Sequence, residues 1–212
     1  ALTQGHKVVS IPNAINTDNF RPIDKTKARK ELGLPLKEKL ILFGCQRITD
    51  ERKGFKYLVN ALHIIKHHHP ELAQDTSIVV VGGKTDAIDH HLPFNIIPVS
   101  YVSDQRKMVA LYNAVDLYVT PSLQDNLPNT IMEAMACGTP CVGFNVGGIP
   151  EMIDHKVNGY VAQYKDATDF AEGIKWTLSS DHASLSNKAR EKVMNNYSED
   201  IVAKKYIKVY ED

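Results

Sequence analysis

Short apolar runs alternate along the chain with segments in which apolar residues repeat at helical spacing. The runs are rich in β-branched residues, are bounded by Gly, Pro or Asp, and do not alternate with polar residues. Continuous runs of this kind indicate strands buried on both faces, as in a parallel sheet covered by helices. Seven strands are predicted, at residues 7–11, 40–44, 78–82, 96–99, 117–120, 141–144 and 159–162.

Helical periodicity connects these runs. It is carried by Phe55, Leu58, Val59, Leu62 and Ile65, then by Met108, Leu111 and Tyr112, and later by Phe170, Ile174 and Leu178. Residues 181–212 predict two final helices with no strand after them. The alternation predicts a single α/β domain over residues 1–212, a Rossmann-like doubly wound parallel sheet with helices on both faces. Such a sheet binds ligands at the carboxyl ends of its strands, where the strand order reverses.

Charge and cysteine content narrow the classes of function. The 212 residues include 25 Lys+Arg and 25 Asp+Glu, so the formal net charge is zero, which argues against a nucleic-acid partner. The longest apolar runs fall far short of the roughly 20 residues that a membrane helix needs, and no signal peptide is visible. Cys45, Cys137 and Cys141 form an odd set in apolar surroundings. We therefore expect reduced thiols and a cytoplasmic protein.

Two further motifs are not expected to carry chemistry. His67, His68 and His69 are adjacent near a helix end, where successive side chains point in different directions, so they indicate a solvated helix end rather than a metal site. The Gly82–Gly83 pair follows a strand but does not form a GxGxxG fingerprint, and no GxxxxGK[ST] loop is present. These absences count against a nicotinamide or flavin cofactor.

The loop after the second predicted strand combines two cations with a helix start. Arg47 and Lys53 lie between Gly44 and Gly54, at the carboxyl edge of the sheet. Arg offers a planar fork for phosphate oxygens and Lys a compact charge, while a helix start adds N–H donors. The segment fits a diphosphate site, and on its own it leaves solvated surface charges open as the alternative.

A second loop follows the predicted strand 117–120 and carries two carboxylates. Asp125 lies in the loop, a helix begins near Asn129, and Glu133 follows about one turn later, before Gly138 ends the helix. Carboxylates accept paired hydrogen bonds from the hydroxyl groups of a ribose or hexose. Alternatively, Asp125 is a turn or cap residue and Glu133 a solvated helix charge.

Five segments, in this order, resemble family 4 of the retaining GT-B glycosyltransferases. They are residues 11–15 with 20–22, residues 44–54, residues 98–102, residues 125–140, and residues 147–151 with 158–159. The resemblance covers almost the whole chain. It implies the C-terminal, donor-binding domain of such an enzyme. The N-terminal domain, which binds the acceptor in this family, is expected to be absent from this chain.

The resemblance also implies roles for individual residues. Arg47 and Lys53 would hold the diphosphate of the donor, and Glu133 would hold the ribose hydroxyls. Asp125 would take the position of the first Glu in the family's Glu-x7-Glu signature, which meets the transferred sugar. Arg47, Lys53 and Asp125 are the catalytic candidates. The helix start at Leu127, Pro128, Asn129 and Thr130 would complete the phosphate cradle, and Tyr101, Val102 and Ser103 would lie beside the base.

Three positions depart from the family pattern. Asp125 replaces Glu and is one methylene shorter, which alters its reach toward the sugar. Pro128–Asn129 stands where the family often has Gly. Ala14 replaces a Gly and restricts a turn. The first departure affects the identity of the sugar rather than the nucleotide site.

The resemblance implies retaining transfer of a hexosyl group from a nucleotide sugar, UDP- or GDP-linked, to a glycan or lipid-linked acceptor in polysaccharide biosynthesis. No cofactor is expected. The sequence contains no Asp-x-Asp motif, so cations of the protein would stabilise the leaving phosphate without a metal. The domain alone is expected to be inactive, and the full-length enzyme to lie in the cytoplasm or at the inner face of the membrane. A nucleotide-sugar sensor that lacks catalysis and a GT-B sugar epimerase are the alternatives.

Overall fold

A computed structural model describes residues 8–44, 50–82 and 92–211. Its strands form one parallel sheet in the order β3-β2-β1-β4-β5-β6. Their bounds are β1 (Lys39–Gly44), β2 (Thr76–Val81), β3 (Asn95–Val99), β4 (Leu117–Thr120), β5 (Cys141–Phe144) and β6 (Gly159–Ala162). The chain builds outward from β1 to β3 and then returns to place β4 beside β1. The predicted doubly wound sheet is confirmed, and its order reverses between β1 and β4.

Helices connect the strands and close the chain. They are α1 (Lys25–Glu31), α2 (Phe55–His68), α3 (Pro70–Gln74), α4 (Gln105–Ala114), α5 (Asn129–Ala136), α6 (Ile149–Met152), α7 (Ala167–Ser179), α8 (His182–Asn196) and α9 (Glu199–Glu211), with a short 3-10 turn at Glu51–Lys53. The two predicted final helices are α8 and α9. Within the described residues, no helix has both the length and the apolar character needed to cross a membrane.

The two faces of the sheet bury separate apolar clusters. Along β1, Leu40 and Leu42 pack with residues of α4, α5 and α8, whereas Ile41 and Phe43 pack with residues of α2 and α7. Successive strand residues point to opposite faces, so both faces must be apolar when both are covered. This explains why the strands appear in the sequence as continuous apolar runs.

Aspartates begin several of the helices. The side chains of Asp24, Asp104, Asp166 and Asp181 each accept a hydrogen bond from a backbone N–H in the first turn of α1, α4, α7 and α8 respectively. Such caps satisfy donors that have no partner inside the helix. The local sequence therefore fixes where these helices start.

The first predicted strand, at residues 7–11, is wrong for its described part. Residues 8–14 have no regular secondary structure, and the side chains of Val8 and Val9 are exposed. The segment instead joins the fold at Ile15, whose N–H donates to the carbonyl of Tyr197 at 2.9 Å between α8 and α9. An apolar run becomes a strand only where a neighbouring strand offers hydrogen bonds, and the described residues of this run pair with no strand.

A buried charge network closes the amino edge of the sheet. Arg29 is only 4% exposed, and its guanidinium donates to the carboxylate of Asp116 at 2.8 Å and to the carbonyl of Ala114 at 2.7 Å. Asp116 also accepts from Lys25 Nζ at 2.7 Å and from the N–H of Leu40 at 2.8 Å. Burial alone raises the pKa of Asp116, but these partners more than offset it and hold the pKa below its ordinary value.

Candidate functional site

A cavity of about 610 Å³ lies at the carboxyl ends of β1 and β4, where the strand order reverses. Six of the predicted site residues line it: Lys53, Tyr101, Val102, Asp125, Thr130 and Glu133. The cavity therefore collects residues from the loops after β1, β3 and β4 and from α5. This is the edge at which ligands bind in doubly wound sheets.

The other predicted site residues have different positions. Arg47 lies outside the described residues. Ser103, Leu127, Pro128 and Asn129 are described but do not line the cavity. Pro128 is the N-cap position of α5, and no side chain within the described part of the structure caps this helix start. The backbone there remains available for the phosphate contact that the family resemblance implies.

Lys53 and Asp125 form an ion pair across the cavity. Lys53 Nζ lies 3.4 Å from Asp125 Oδ2, although the residues belong to the loops after β1 and β4. The side chain of Lys53 is 40% exposed and that of Asp125 19% exposed. The two charges to which the family resemblance gives a phosphate role and a sugar role therefore contact each other directly.

Gly54 allows the loops after β1 and β4 to pack closely. Its φ is +63°, and a Cβ there would lie 1.9 Å from the carbonyl oxygen of Pro121. The N–H of Leu123 also donates to the carbonyl of Arg52 at 2.7 Å. Since any side chain at this position would collide with backbone, Gly54 fixes where Lys53 stands relative to the second loop.

A glycine pair after β5 supports the loop that carries Asp125. A Cβ on Gly147, whose φ is +55°, would lie 1.6 Å from the carbonyl oxygen of Asp125. The N–H of Gly148 donates to the carbonyl of Asn126 at 2.5 Å. The glycines belong to a segment that the sequence analysis included only as part of the family resemblance. In the structure they position Asp125.

Glu133 lines the same cavity and has a different environment. Its Oε2 accepts a hydrogen bond from the hydroxyl of Tyr112 at 2.8 Å. Burial raises the pKa of the Glu133 carboxyl above its ordinary value, and the hydrogen bond from Tyr112 opposes this rise. A carboxylate with one engaged oxygen keeps acceptor capacity for two neighbouring hydroxyl groups.

Several lining residues were missed by the sequence analysis. Tyr112 was interpreted only as part of an apolar helical repeat. Thr120 and Ser122, whose hydroxyl oxygens lie 3.2 Å apart, add buried polar groups at the end of β4. Arg52 also lines the cavity, and its guanidinium contacts the carboxylate of Asp50 at 3.0 and 2.8 Å. For Thr120, Ser122 and Arg52 the available signal was their position at the end of a strand or in the loop that follows it, whereas Tyr112 lies within α4 and gave no such signal.

Comparison with known protein families identifies relatives of this chain. A family model described as "Glycosyl transferases group 1" matches residues 38–180. An uncharacterised glycosyltransferase from Methanocaldococcus jannaschii is 31% identical over 223 residues, which cover 98% of this chain and 55% of that protein. The chain spans about half the length of the curated relatives it matches.

Solved structures of glycosyltransferases share the fold. Sucrose-phosphate synthase from Thermosynechococcus elongatus aligns with a TM-score of 0.81 and 26% identity, over 98% of this chain and 53% of that one. Anabaena HepE in complex with UDP-glucose aligns with a TM-score of 0.76 and 19% identity, over 99% of this chain and 60% of that one. At this identity, the second match supports the fold alone.

The matched family agrees with the resemblance that the motifs indicated. The family match begins at the start of β1 and continues through α7, so it includes the cavity-lining loops after β1, β3 and β4. Sequence, fold and the position of the cavity thus lead to the same result. The chain belongs to the group 1 glycosyltransferases.

Proposed function

We propose that this chain is the donor-binding, C-terminal domain of a retaining hexosyltransferase, and that its cavity holds a nucleoside diphosphate sugar. The observation that carries this proposal is the meeting of Lys53, Asp125 and Glu133 in one cavity at the reversal of strand order. A cation and two carboxylates that line one cavity suit a ligand that combines a diphosphate with two sets of sugar hydroxyl groups.

The diphosphate lies between Lys53 and the start of α5. Lys53 provides a charge, and the first turn of α5 provides N–H groups and the positive end of the helix dipole. Arg47 adds a second cation by its place in the sequence. Together these groups stabilise the negative charge that develops on the β-phosphate as the sugar departs. Because the sequence has no Asp-x-Asp motif, the domain acts without a metal.

The nucleoside and the sugar occupy opposite ends of the cavity. Glu133 accepts hydrogen bonds from the ribose, and Tyr101 and Val102, which line the cavity, lie beside the base. Asp125 accepts from hydroxyl groups of the hexose and orients the ring for attack. Retention follows from front-face attack assisted by the leaving phosphate. HepE, which shares the fold, is described in complex with UDP-glucose, so UDP is the first nucleotide to test.

Isothermal titration calorimetry on this chain tests the proposal. UDP, GDP and ADP are titrated separately, followed by the glucose conjugate of each, with and without EDTA. We expect one of the three nucleotides, with its glucose conjugate, to bind clearly better than the others. Its affinity should be unchanged by EDTA. Absence of binding for all six compounds would refute the donor-site proposal. Binding that disappears in EDTA and returns with magnesium would refute metal independence alone.

Transfer itself requires the second domain of the enzyme. Radiolabelled donor incubated with the full-length protein and a glycan or lipid-linked acceptor should give a product with the donor's anomeric configuration. Inversion of that configuration would overturn the retaining assignment and leave the donor site intact. Donor binding by a full-length protein that transfers no sugar would favour the sensor alternative.

A further inference from the structure

Tyr112 presents a hydroxyl group to the cavity from an otherwise buried side chain. Tyr112 is 1% exposed, and its ring packs edge-on against Tyr118, with ring centres 5.9 Å apart. The ring of Phe20 lies on another side at 6.5 Å. The hydroxyl group donates to Glu133 Oε2 at 2.8 Å. Packing from several directions therefore holds the hydroxyl at one oxygen of the carboxylate.

The backbone around Tyr112 is also fixed. Its carbonyl oxygen accepts a hydrogen bond from Thr139 Oγ1 at 2.6 Å. The neighbouring Asn113 accepts from the N–H of Ile23 at 2.7 Å and donates to the carbonyl of Arg21 at 3.0 Å. These bonds connect the end of α4 to the segment before α1 and to the turn after α5. The Tyr112 hydroxyl is thus placed by long-range contacts.

Among the described residues, the other titratable groups that interact with Glu133 are a second tyrosine and a cysteine. Tyr118 of β4 and Cys137 of α5 lie close enough to interact with it, and burial raises the pKa of both. Both are therefore neutral near neutral pH. Among the ion pairs of the described residues, none includes Glu133. The hydroxyl of Tyr112 is the donor that the described structure provides to this carboxylate.

We propose that Tyr112 is a positioning residue for nucleotide binding: its hydroxyl engages one oxygen of Glu133 and turns the other toward the ribose hydroxyls of the donor. This inference rests on the proposed function of the cavity. A hydrogen bond to the ionised form also favours that form, so Tyr112 keeps Glu133 an acceptor where burial would otherwise favour its protonation. Tyr112 acts through Glu133 and does not take part in the chemical step.

The first test compares Tyr112→Phe with Tyr118→Phe, a matched deletion of a hydroxyl in the same cavity. UDP and 2′,3′-dideoxy-UDP are the probes. Tyr112→Phe should lose about fivefold in affinity for UDP, the usual effect of one hydrogen bond, and almost none for the dideoxy compound. Tyr118→Phe should leave the ratio of the two affinities unchanged. Equal losses for both probes in Tyr112→Phe would show a merely structural role and overturn the proposal.

The second test needs no ligand. The ¹³C-carboxyl resonance of Glu133, identified by its disappearance in Glu133→Gln, is followed through a pH titration. Its midpoint should move to higher pH in Tyr112→Phe and stay in place in Tyr118→Phe. An unchanged midpoint in Tyr112→Phe would overturn the inference. Failure of UDP to bind the wild-type chain would count against the proposed function, and the titration would still decide whether Tyr112 controls Glu133.

A substitution that preserves both the ring and its hydroxyl group allows the test even if Tyr112→Phe misfolds. If Tyr112→Phe loses its cooperative unfolding transition, 3-fluorotyrosine at position 112 replaces it. The fluorinated ring has a more acidic hydroxyl, which is a stronger donor, so the Glu133 midpoint should move to lower pH. A midpoint that does not move, or that moves upward, would contradict the proposed link.

Discussion

The amino edge of the sheet, where the parallel strands begin, and the carboxyl edge, where they end, each contain a partly buried carboxylate. The pKa values of these two carboxylates are shifted in opposite directions. At the amino edge, Asp116 accepts hydrogen bonds from Lys25, Arg29 and the N–H of Leu40, and its pKa lies below the ordinary value. At the carboxyl edge, Glu133 accepts one described bond, from the neutral hydroxyl of Tyr112, and its pKa lies above the ordinary value. Burial raises the pKa in both cases, so the difference comes from the partners.

This difference distinguishes a carboxylate that stabilises the fold from one that can bind a ligand. A carboxylate that is fully satisfied within the protein holds elements together and has little capacity left for a ligand. A partly buried carboxylate whose described partner is a neutral hydroxyl costs stability and gains by meeting hydroxyl groups of a ligand. The comparison predicts that substitutions at the amino edge act on folding, whereas those at the carboxyl edge act on binding.

The largest expected effect is at the amino edge. Asp116→Asn should lower the free energy of unfolding by about 3 kcal/mol, because it leaves the buried guanidinium of Arg29 without its anion. Urea denaturation followed by circular dichroism measures the change. The matched control is Glu133→Gln, which keeps an acceptor for Tyr112 and should change stability by less than about 1 kcal/mol. A larger loss in Glu133→Gln than in Asp116→Asn would contradict the comparison.

At the carboxyl edge, substitutions that disturb the backbone should lower the stability of the fold, although substitutions of the charged residues should not. Gly147→Ala should cost about 2 kcal/mol or more in unfolding free energy, because the new Cβ meets the Asp125 carbonyl in addition to the cost of a positive φ. Gly33→Ala is the control, since Gly33 has φ +66° and, among the described residues, no atom within 4 Å of the place that a Cβ would take. The control should cost only about 1 kcal/mol. Thermal unfolding of both variants measures the two changes in stability. Equal losses of unfolding free energy would mean that the loop at Asp125 moves away from the new Cβ at no cost.

Next in size is the loss of a phosphate cation. Lys53→Ala should weaken UDP binding by about 2 kcal/mol and leave uridine nearly unaffected, because only the diphosphate carries the charge that Lys53 meets. Arg47→Ala is expected to show the same selectivity. Glu133→Ala, in contrast, should weaken both compounds. Calorimetry with the paired ligands measures this, and a uniform loss for uridine and UDP in Lys53→Ala would refute the phosphate role.

The ion pair between Lys53 and Asp125 makes the effect of Asp125→Ala depend on the ligand. UDP-sugar should bind less tightly by about 1 kcal/mol, because a sugar hydroxyl loses its acceptor. UDP alone should bind equally well or slightly better, because Lys53 no longer has a competing anion; a half-exposed pair of this kind is worth at most about 1 kcal/mol. Equal weakening of UDP and UDP-sugar in the same titrations would make Asp125 a structural cap.

The smallest effect concerns pH. Since the pKa of folded Glu133 lies above the ordinary 4.5, its carboxylate is lost earlier than usual as pH falls, and uridine affinity should decrease with it. Uridine is chosen because it has no phosphate to titrate. Glu133→Gln should remove this pH dependence. If uridine affinity falls in the same way at low pH in both proteins, the pH dependence belongs to another group.

Stability should respond to pH in opposite directions at the two edges. Protonation of Glu133 favours the folded state, so its contribution is greatest at low pH and is lost as pH rises through its raised pKa. The contribution of Asp116 is present above its ordinary value of 3.8 and is lost as pH falls through its lowered pKa.

The sequence predicts local features well and long-range ones poorly. Covered strands such as β1 and β2 are visible as apolar runs, because burial on both faces affects every residue in them. The run at residues 7–11 has the same appearance, and only the tertiary structure determines that its described residues pair with no strand of the sheet. The family motifs were sufficient to assign Lys53, Asp125 and Glu133 to one site before any distance between them was known.

The contacts that distinguish the two edges could not be predicted in this way. Arg29 and Asp116 are 87 positions apart in the chain, and neither belongs to a motif. Tyr112 fits an apolar helical repeat, and the direction of its hydroxyl depends on how α4 packs against α5. The environment of each carboxylate is therefore a property of the tertiary structure.

The close contacts of Gly54, Gly147 and Gly148 have a consequence for engineering donor selectivity. Mutagenesis libraries that vary these positions would consist mostly of misfolded or shifted loops, since backbone oxygen atoms already occupy the space that a side chain needs. Useful diversity is concentrated at positions whose side chains face the cavity, such as Ser122 and Asp125. A small library that randomises these two and keeps the three glycines tests the proposed sugar contacts on an intact framework.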